Sequence, residues 1–326
     1  MNEFKLIQRL TRSLPANEAV VTGAGDDCAV LDLGVPDKLV LFKTDAVVEG
    51  IHFTRETPPE KIGRKALARC LSDLAAMAGT PTAALVTLGL PENFDAEFVA
   101  KICAGLNALA EQHQVAVVGG ETTTNPGRIF ISVALLGVVA RGKQILRGGA
   151  KVGDAIFVTG ELGGSLAGRH LDFEPRLAEA RWLAEHFHIH AMVDVSDGLA
   201  GDLRHILEAG KVGAEILKSA LPVARAAKLR ARPTGAHGMS QPGAHEPGHR
   251  HKPAALAALT DGEDFELLFT VASRDAVKLL DAWRKKFPRL KLSCIGKIIA
   301  GEGILLRDKT GDHKFAVSGY EHFRRH

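Results

Sequence analysis

No Cys-x-x-Cys pair occurs in the chain, and its four cysteines, Cys28, Cys70, Cys103 and Cys294, lie scattered along 326 residues. That spacing leaves no paired redox or metal-binding cysteine motif and reads as reduced, mostly buried thiols of a cytoplasmic protein. No apolar run approaches a membrane span, and Met1-Asn2-Glu3-Phe4-Lys5 lacks a signal-peptide pattern. Aromatic residues make up only 5%, which argues against a base-stacking platform. A formal net charge of +3 is too small to mark a nucleic-acid or membrane surface. There is no Gly-x-x-x-x-Gly-Lys-Ser/Thr loop and no His-Arg-Asp catalytic loop, so neither common phosphotransferase class fits. What remains is a soluble globular composition, 46% hydrophobic and 24% charged, long enough for two domains with their own cores.

Acidic residues beside glycines stand out. Gly23-Ala24-Gly25 leads into Asp26-Asp27 and then the strand-like Cys28–Leu33. A strand start points successive side chains to opposite faces, so one aspartate can face a cleft while its neighbour braces the loop. Alone, such a motif is a turn with a solvated tip. Here acids recur at the mouths of other elements, at Asp45, Asp73, Glu121, Asp194 and Asp197. Oxygen ligands from several elements suit Mg²⁺ held together with substrate phosphates.

Taken in order, Phe4–Leu14 has helical spacing and Lys38–Thr44 reads as a strand ending in Thr44-Asp45, with His52 in the loop beyond. Glu60–Ala78 is the clearest helix, with an apolar stripe of Ile62, Ala66, Leu67, Cys70, Leu71, Leu74 and Ala78. Asp73 flanks that stripe, where a carboxylate is costly unless paired or ligating. The spacing predicts a strand over Ala83–Leu90, a helix over Asp95–Gln112 and a buried strand over Val115–Val118. That last strand runs into Gly119-Gly120-Glu121-Thr122-Thr123, a phosphate-and-metal corner. Ile129–Val139 reads as a strand that closes the first half. The basic, glycine-rich Arg141–Gly153 reads as a crossover, in which the Arg147 guanidinium suits phosphate oxygens. Ala155–Thr159, Met192–Val195, Glu266–Val271, Leu292–Ile299 and Ile304–Leu306 read as strands, with helices over Pro175–Phe187 and Ser273–Phe287. Asp194, Ser196 and Asp197 bracket a helix start; capping would account for one of them, and the helix dipole there favours phosphate. Residues 232–253, rich in Pro, Gly and His, carry too little apolar surface to order themselves and read as a disordered insertion. Without strict β-α-β alternation, the expected class is α+β.

The ordered set Gly25-Asp26-Asp27, Thr44-Asp45, Gly50-Ile51-His52-Phe53, Ser72-Asp73-Leu74-Ala75-Ala76-Met77, Gly119-Gly120-Glu121-Thr122-Thr123, Arg147-Gly148-Gly149, Asp194-Val195-Ser196-Asp197-Gly198, Gly262-Glu263-Asp264-Phe265 and Gly319-Tyr320-Glu321 resembles the thiamine-monophosphate kinase family. The resemblance spans nearly the whole chain. It implies the fold of the aminoimidazole-ribonucleotide-synthetase superfamily: an N-terminal ATP/Mg-binding α+β domain (1–141), a C-terminal α+β domain (142–326), and homodimers whose N-terminal sheets join into a barrel. It implies in-line transfer from ATP to thiamine monophosphate, with ATP as co-substrate and several Mg²⁺ ions. By motif position it implies metal ligation by Asp27, Thr44, Asp45, Asp73, Glu121, Asp194 and Asp197. Nucleotide contacts would fall to Gly120, Glu121, Arg147 and Ser196, and acceptor contacts to His52, Glu263 and Tyr320. Asp73, Asp197 and Arg147 would carry the catalysis.

Three positions depart from the family's pattern. Glu121 stands where Asp is usual, Lys43 where a small hydroxyl residue is frequent, and Asp261 where a glycine precedes Gly-Glu-Asp. The competing readings are aminoimidazole-ribonucleotide synthetase, which has the same fold, and a nucleotide-binding protein without turnover.

Overall fold

The computed structural model describes residues 3–231 and 252–316; Tyr320 and nearly all of the His-rich insertion lie outside the described residues. In chain order the elements are α1 (Glu3–Thr11), β1 (Val20–Thr22), β2 (Ala29–Leu31), β3 (Lys38–Val48), α2 (Pro59–Ala76), β4 (Thr80–Leu90), α3 (Ala96–Gln112), β5 (Ala116–Thr124) and β6 (Phe130–Ala140). After the crossover come β7 (Asp154–Thr159), α4 (Arg169–Asp172), α5 (Leu177–His186), β8 (Ile189–Asp194), α6 (Leu199–Gly210), β9 (Gly213–Leu217) and α7 (Arg225–Arg230). The chain continues with α8 (Ala254–Thr260), β10 (Leu267–Ala272), α9 (Ala276–Lys286), β11 (Leu292–Ile299), β12 (Gly303–Asp308) and β13 (Gly311–Phe315).

Two mixed sheets result, ordered β1-β2-β3-β6-β4-β5 and β13-β12-β9-β11-β7-β10-β8. Each is antiparallel except for one parallel pair, β4 with β5 and β12 with β9. This is the expected α+β architecture. Several predicted bounds move by a few residues: Asp95 is not the first helical residue of α3 but its cap, accepting from the Glu97 and Phe98 amides at 2.9 and 3.3 Å.

α2 is the pillar of the molecule. Pro59 opens it, where a missing N–H costs nothing. Its apolar stripe packs on the covered face of the first sheet, and Gly63 and Gly105 let it press against α3. A Cβ at Gly63 would come within 1.8 Å of the Ile102 carbonyl oxygen, and one at Gly105 within 1.9 Å of the Glu60 carbonyl oxygen. The same helix reaches the second domain, where Lys61 pairs with Asp172 and Arg64 donates to the Phe173 carbonyl, both at 2.6 Å. One continuous apolar core therefore joins α2 residues such as Leu67 and Leu71 to Phe157, Phe269 and Trp283 of the second sheet.

The predicted buried strand at Val115–Val118 is corrected: β5 runs on through the Gly-Gly-Glu-Thr-Thr segment, and every residue of it is exposed. It is an edge strand, and among the described residues nothing packs over its outer side. Phe42, Leu85 and Leu136, on one face of the same sheet by register, are exposed as well. An apolar run marks a surface to be covered, but not whether the same chain covers it.

Candidate functional site

The loop between β1 and β2, helix α2 and the end of β8 bring Asp27, Asp73 and Asp194 together, each buried, with one oxygen apiece mutually within 4.8 Å. Two domains therefore contribute to one carboxylate centre. Arg147 Nη2 donates to Asp27 Oδ1 at 2.6 Å, and Lys43 Nζ stands 3.1 Å from Asp73 Oδ2 and 3.9 Å from Asp45 Oδ1. Ser72 Oγ donates to Asp194 Oδ2 at 2.6 Å. The adjacent aspartates divide their work. Asp26 braces the loop, its Oδ2 accepting the Arg147 amide at 3.1 Å and its Oδ1 the Asp27 amide at 3.0 Å.

Electrostatics shows what the cluster lacks. Burial, reinforced by neighbouring carboxylates, pushes Asp73 well above the usual aspartate range despite Lys43. Burial and Asp27 push Asp194 up to about 7 against the pull of Ser72 and Lys43. Burial disfavours the Lys43 ammonium, but Asp73, Asp45 and Asp27 outweigh it and hold the charge in place. Asp27 Oδ2 is buried with no hydrogen-bond partner among the described residues. Like charges this close are not balanced by two organic cations alone. An oxygen-only donor set with an unsaturated buried oxygen fits a hard divalent cation such as Mg²⁺.

A second grouping lies further along α2. The buried Lys65 donates from Nζ to the His52 carbonyl at 2.8 Å and to Glu263 Oε2 at 2.7 Å. His52, in the turn after β3, accepts the Val48 amide on Nδ1 at 3.1 Å. Glu263 has φ +62, a left-handed backbone rare outside glycine. It is held there by its amide on the Ser196 carbonyl at 2.6 Å, with the Phe265 amide on the Val195 carbonyl at 2.7 Å. Ser196 and Glu263, expected to serve different substrates, thus share one backbone ladder.

The other expected residues fall around these groups. Asp45 lies between Lys43 and Arg69, whose Nε is 3.8 Å from its Oδ2. The Asp197 amide is held by the buried Asp202 carboxylate at 3.0 Å, and α6 is capped by Gly198 with no side-chain cap, so neither Ser196 nor Asp197 is explained by capping. Two hydroxyl and carboxylate positions are not brought into the cluster. Thr44 is adjacent to Lys43 on β3 and so points to the uncovered sheet face, 3.3 Å from Ser132 Oγ. Glu121, on exposed β5, turns back to accept the Thr122 amide at 3.0 Å. Gly120 is required where it stands, since a Cβ there would come within 1.7 Å of the Val86 carbonyl oxygen. A surface cavity lined by Arg55, Pro91, Asn93, Phe94 and Phe98 includes none of these residues.

Sequence reasoning missed Lys65, Arg69 and Asp202. Lys65 flanks the apolar stripe of α2, where a lysine usually extends its head into water, so its burial carried no local signal.

Comparison with known proteins places the whole chain. The family model described as AIR synthase related protein, N-terminal domain, matches residues 25–139, and that of the C-terminal domain matches 151–309. A thiamine-monophosphate kinase from Rhodopirellula baltica is 38% identical over 92% of this chain and 89% of its own. Among solved structures, AaThiL complexed with AMPPCP and TMP superposes with a TM-score of 0.78 at 29% identity, covering 99% of this chain and 97% of that one. Thiamine-monophosphate kinase from Stenotrophomonas maltophilia gives a TM-score of 0.69 at 31% identity, covering 93% and 96%. The chain belongs to the thiamine-monophosphate kinase family of phosphotransferases, built on the two-domain α+β fold of the AIR synthase related proteins.

Proposed function

We propose that the protein transfers the γ-phosphoryl group of ATP to the phosphate of thiamine monophosphate, releasing ADP and thiamine diphosphate. The observation that carries this reading is the buried centre of Asp27, Asp73 and Asp194, assembled from both domains with Arg147 and Lys43 upon it. The ligands named for AaThiL, AMPPCP and TMP, supply the substrate pair. On this reading residues 1–141 form the ATP/Mg-binding domain, with the Gly120–Glu121 corner, and residues 142–326 the second domain, with Glu263.

In the reaction a phosphate oxygen of the acceptor bonds to the γ-phosphorus as the bond to the β–γ bridging oxygen breaks. The acceptor oxygen is already anionic, so no strong protein base is required; the difficulty is holding two polyanions in line. Asp27, Asp73 and Asp194 would hold Mg²⁺, with Asp45 and Asp197 at the margin, and bound Mg²⁺ supplies neutralisation of phosphate charge. Thr44 and Glu121, expected as further ligands, stand apart from this centre and are given no part in holding the metal. Arg147, Gly120 and Ser196 face the nucleotide. His52 and Glu263 receive the thiamine moiety together with Tyr320.

The uncovered apolar face carrying Phe42, Leu85 and Leu136, with the exposed β5, supports a homodimer in which two N-terminal sheets close into a barrel. No described helix is long and apolar enough to cross a membrane, and the four cysteines are free, which supports a cytoplasmic setting.

Asp73→Asn tests the reading, because it removes ligand charge without changing volume. Turnover is expected to fall by roughly 10² or more with the circular dichroism spectrum unchanged. Near-wild-type turnover in saturating Mg²⁺ would overturn Asp73 as a ligand.

A further inference from the structure

We propose that Lys65 is a positioning residue for the acceptor, setting the Glu263 carboxylate from within the first domain. The proposal rests on the reading of Glu263 and His52 as acceptor contacts. Lys65 is 0% exposed, in the middle of a helix whose other buried side chains are mainly apolar. Its ammonium bridges two segments separated by well over half of the chain: the His52 carbonyl at 2.8 Å and Glu263 Oε2 at 2.7 Å.

A buried ion pair is a weak source of stability, since desolvation of both charges cancels most of the attraction, and an apolar pair of similar volume does as well. Orientation is what this pair supplies. The Glu263 backbone is pinned in the left-handed region by the hydrogen bond its amide donates to the Ser196 carbonyl. The side chain beyond it is a flexible acid that keeps 19% of its surface open. Lys65 fixes one of its carboxylate oxygens, Oε2. The His52 turn depends on Lys65 much less. It is already closed by the His52 amide on the Val48 carbonyl at 2.9 Å and the Gly50 amide on the Phe53 carbonyl at 2.7 Å. The action of Lys65 on the acceptor therefore runs mainly through Glu263, and it is distinct from the nucleotide side, where Arg147 meets Asp27.

The test is steady-state kinetics with Mg²⁺-ATP and thiamine monophosphate on Lys65→Met, Glu263→Gln and the double variant, with melting temperatures beside them. Each single change is expected to raise KM for thiamine monophosphate about tenfold or more and leave KM for ATP within about twofold. In the double variant the KM should stay within about threefold of that of Glu263→Gln alone, because Lys65 acts through Glu263. If Lys65→Met strands the Glu263 charge and fails to fold, Lys65→Arg, which keeps the charge but moves the donor, takes its place: a raised KM for thiamine monophosphate alone is expected, and an unchanged KM overturns the proposal. Multiplicative effects, or equal rises in both KM values, overturn the proposal. A raised KM in Glu263→Gln with none in Lys65→Met overturns the proposal alone. An unchanged KM in both single variants overturns the acceptor reading of Glu263 and the proposal with it.

Discussion

Replacing Lys43 with methionine separates the two tasks an ammonium performs among carboxylates. Lys43 faces Asp73 at 3.1 Å with about a fifth of its side chain exposed (22%). At an effective dielectric of about 20, two unit charges at that distance attract by roughly 5 kcal/mol, and desolvation of both removes about half or more. A loss of about 2–3 kcal/mol follows for Lys43→Met, which at 2–4 °C per kcal/mol lowers Tm by roughly 5–10 °C. With Mg²⁺ present part of that loss is recovered. The ammonium competes for the Asp73 oxygen that a metal would use, so its removal should tighten Mg²⁺ binding about tenfold, or roughly 1.4 kcal/mol. The assay is a melting curve at increasing Mg²⁺, with calorimetric titration of Mg²⁺ in the absence of nucleotide. The variant should start lower, rise further and reach its midpoint at lower Mg²⁺. An unchanged metal-free Tm together with an unchanged Mg²⁺ midpoint would refute the reasoning and place Lys43 outside the centre.

Two more outcomes follow from the same geometry. Asp73 and Asp194 bind protons more tightly folded than unfolded, so metal-free stability should fall as pH rises from about 4 through about 7, the value to which Asp194 is raised. Saturating Mg²⁺ displaces those protons and should flatten the slope, which urea midpoints at several pH values would show; an identical slope with and without Mg²⁺ would count against it. Gly63→Ala should cost about 2–3 kcal/mol, because the new Cβ meets the backbone of Ile102 and no side chain can yield. A variant as stable as the parent in urea would show that α2 and α3 slide apart freely.

Legibility differed with the range of the interaction. The Asp26-Asp27 turn was readable because its chemistry is local: of two adjacent carboxylates beside glycines, one can enter a cleft while the other braces the loop. Asp73 was readable because a carboxylate beside an apolar helical stripe needs a reason. Strand alternation separates Thr44 from Lys43 and Asp45, so the position of the Thr44 side chain was legible in principle. Lys65 was obscured because a lysine on a helix usually extends its head into water, and its partner Glu263 is 198 residues away. β5 was misjudged for a different reason. Val117 and Val118 carry the hydrophobicity of a core strand, but the surface that would cover them is not among the described residues of this chain.

The most direct test of the account is ADP release by the purified protein, measured with product analysis, in ATP and Mg²⁺ with and without thiamine monophosphate. ADP and thiamine diphosphate should appear in equal amounts, only with both substrates and Mg²⁺ present. ADP release indifferent to thiamine monophosphate, or ATP binding with no turnover at all, would contradict it.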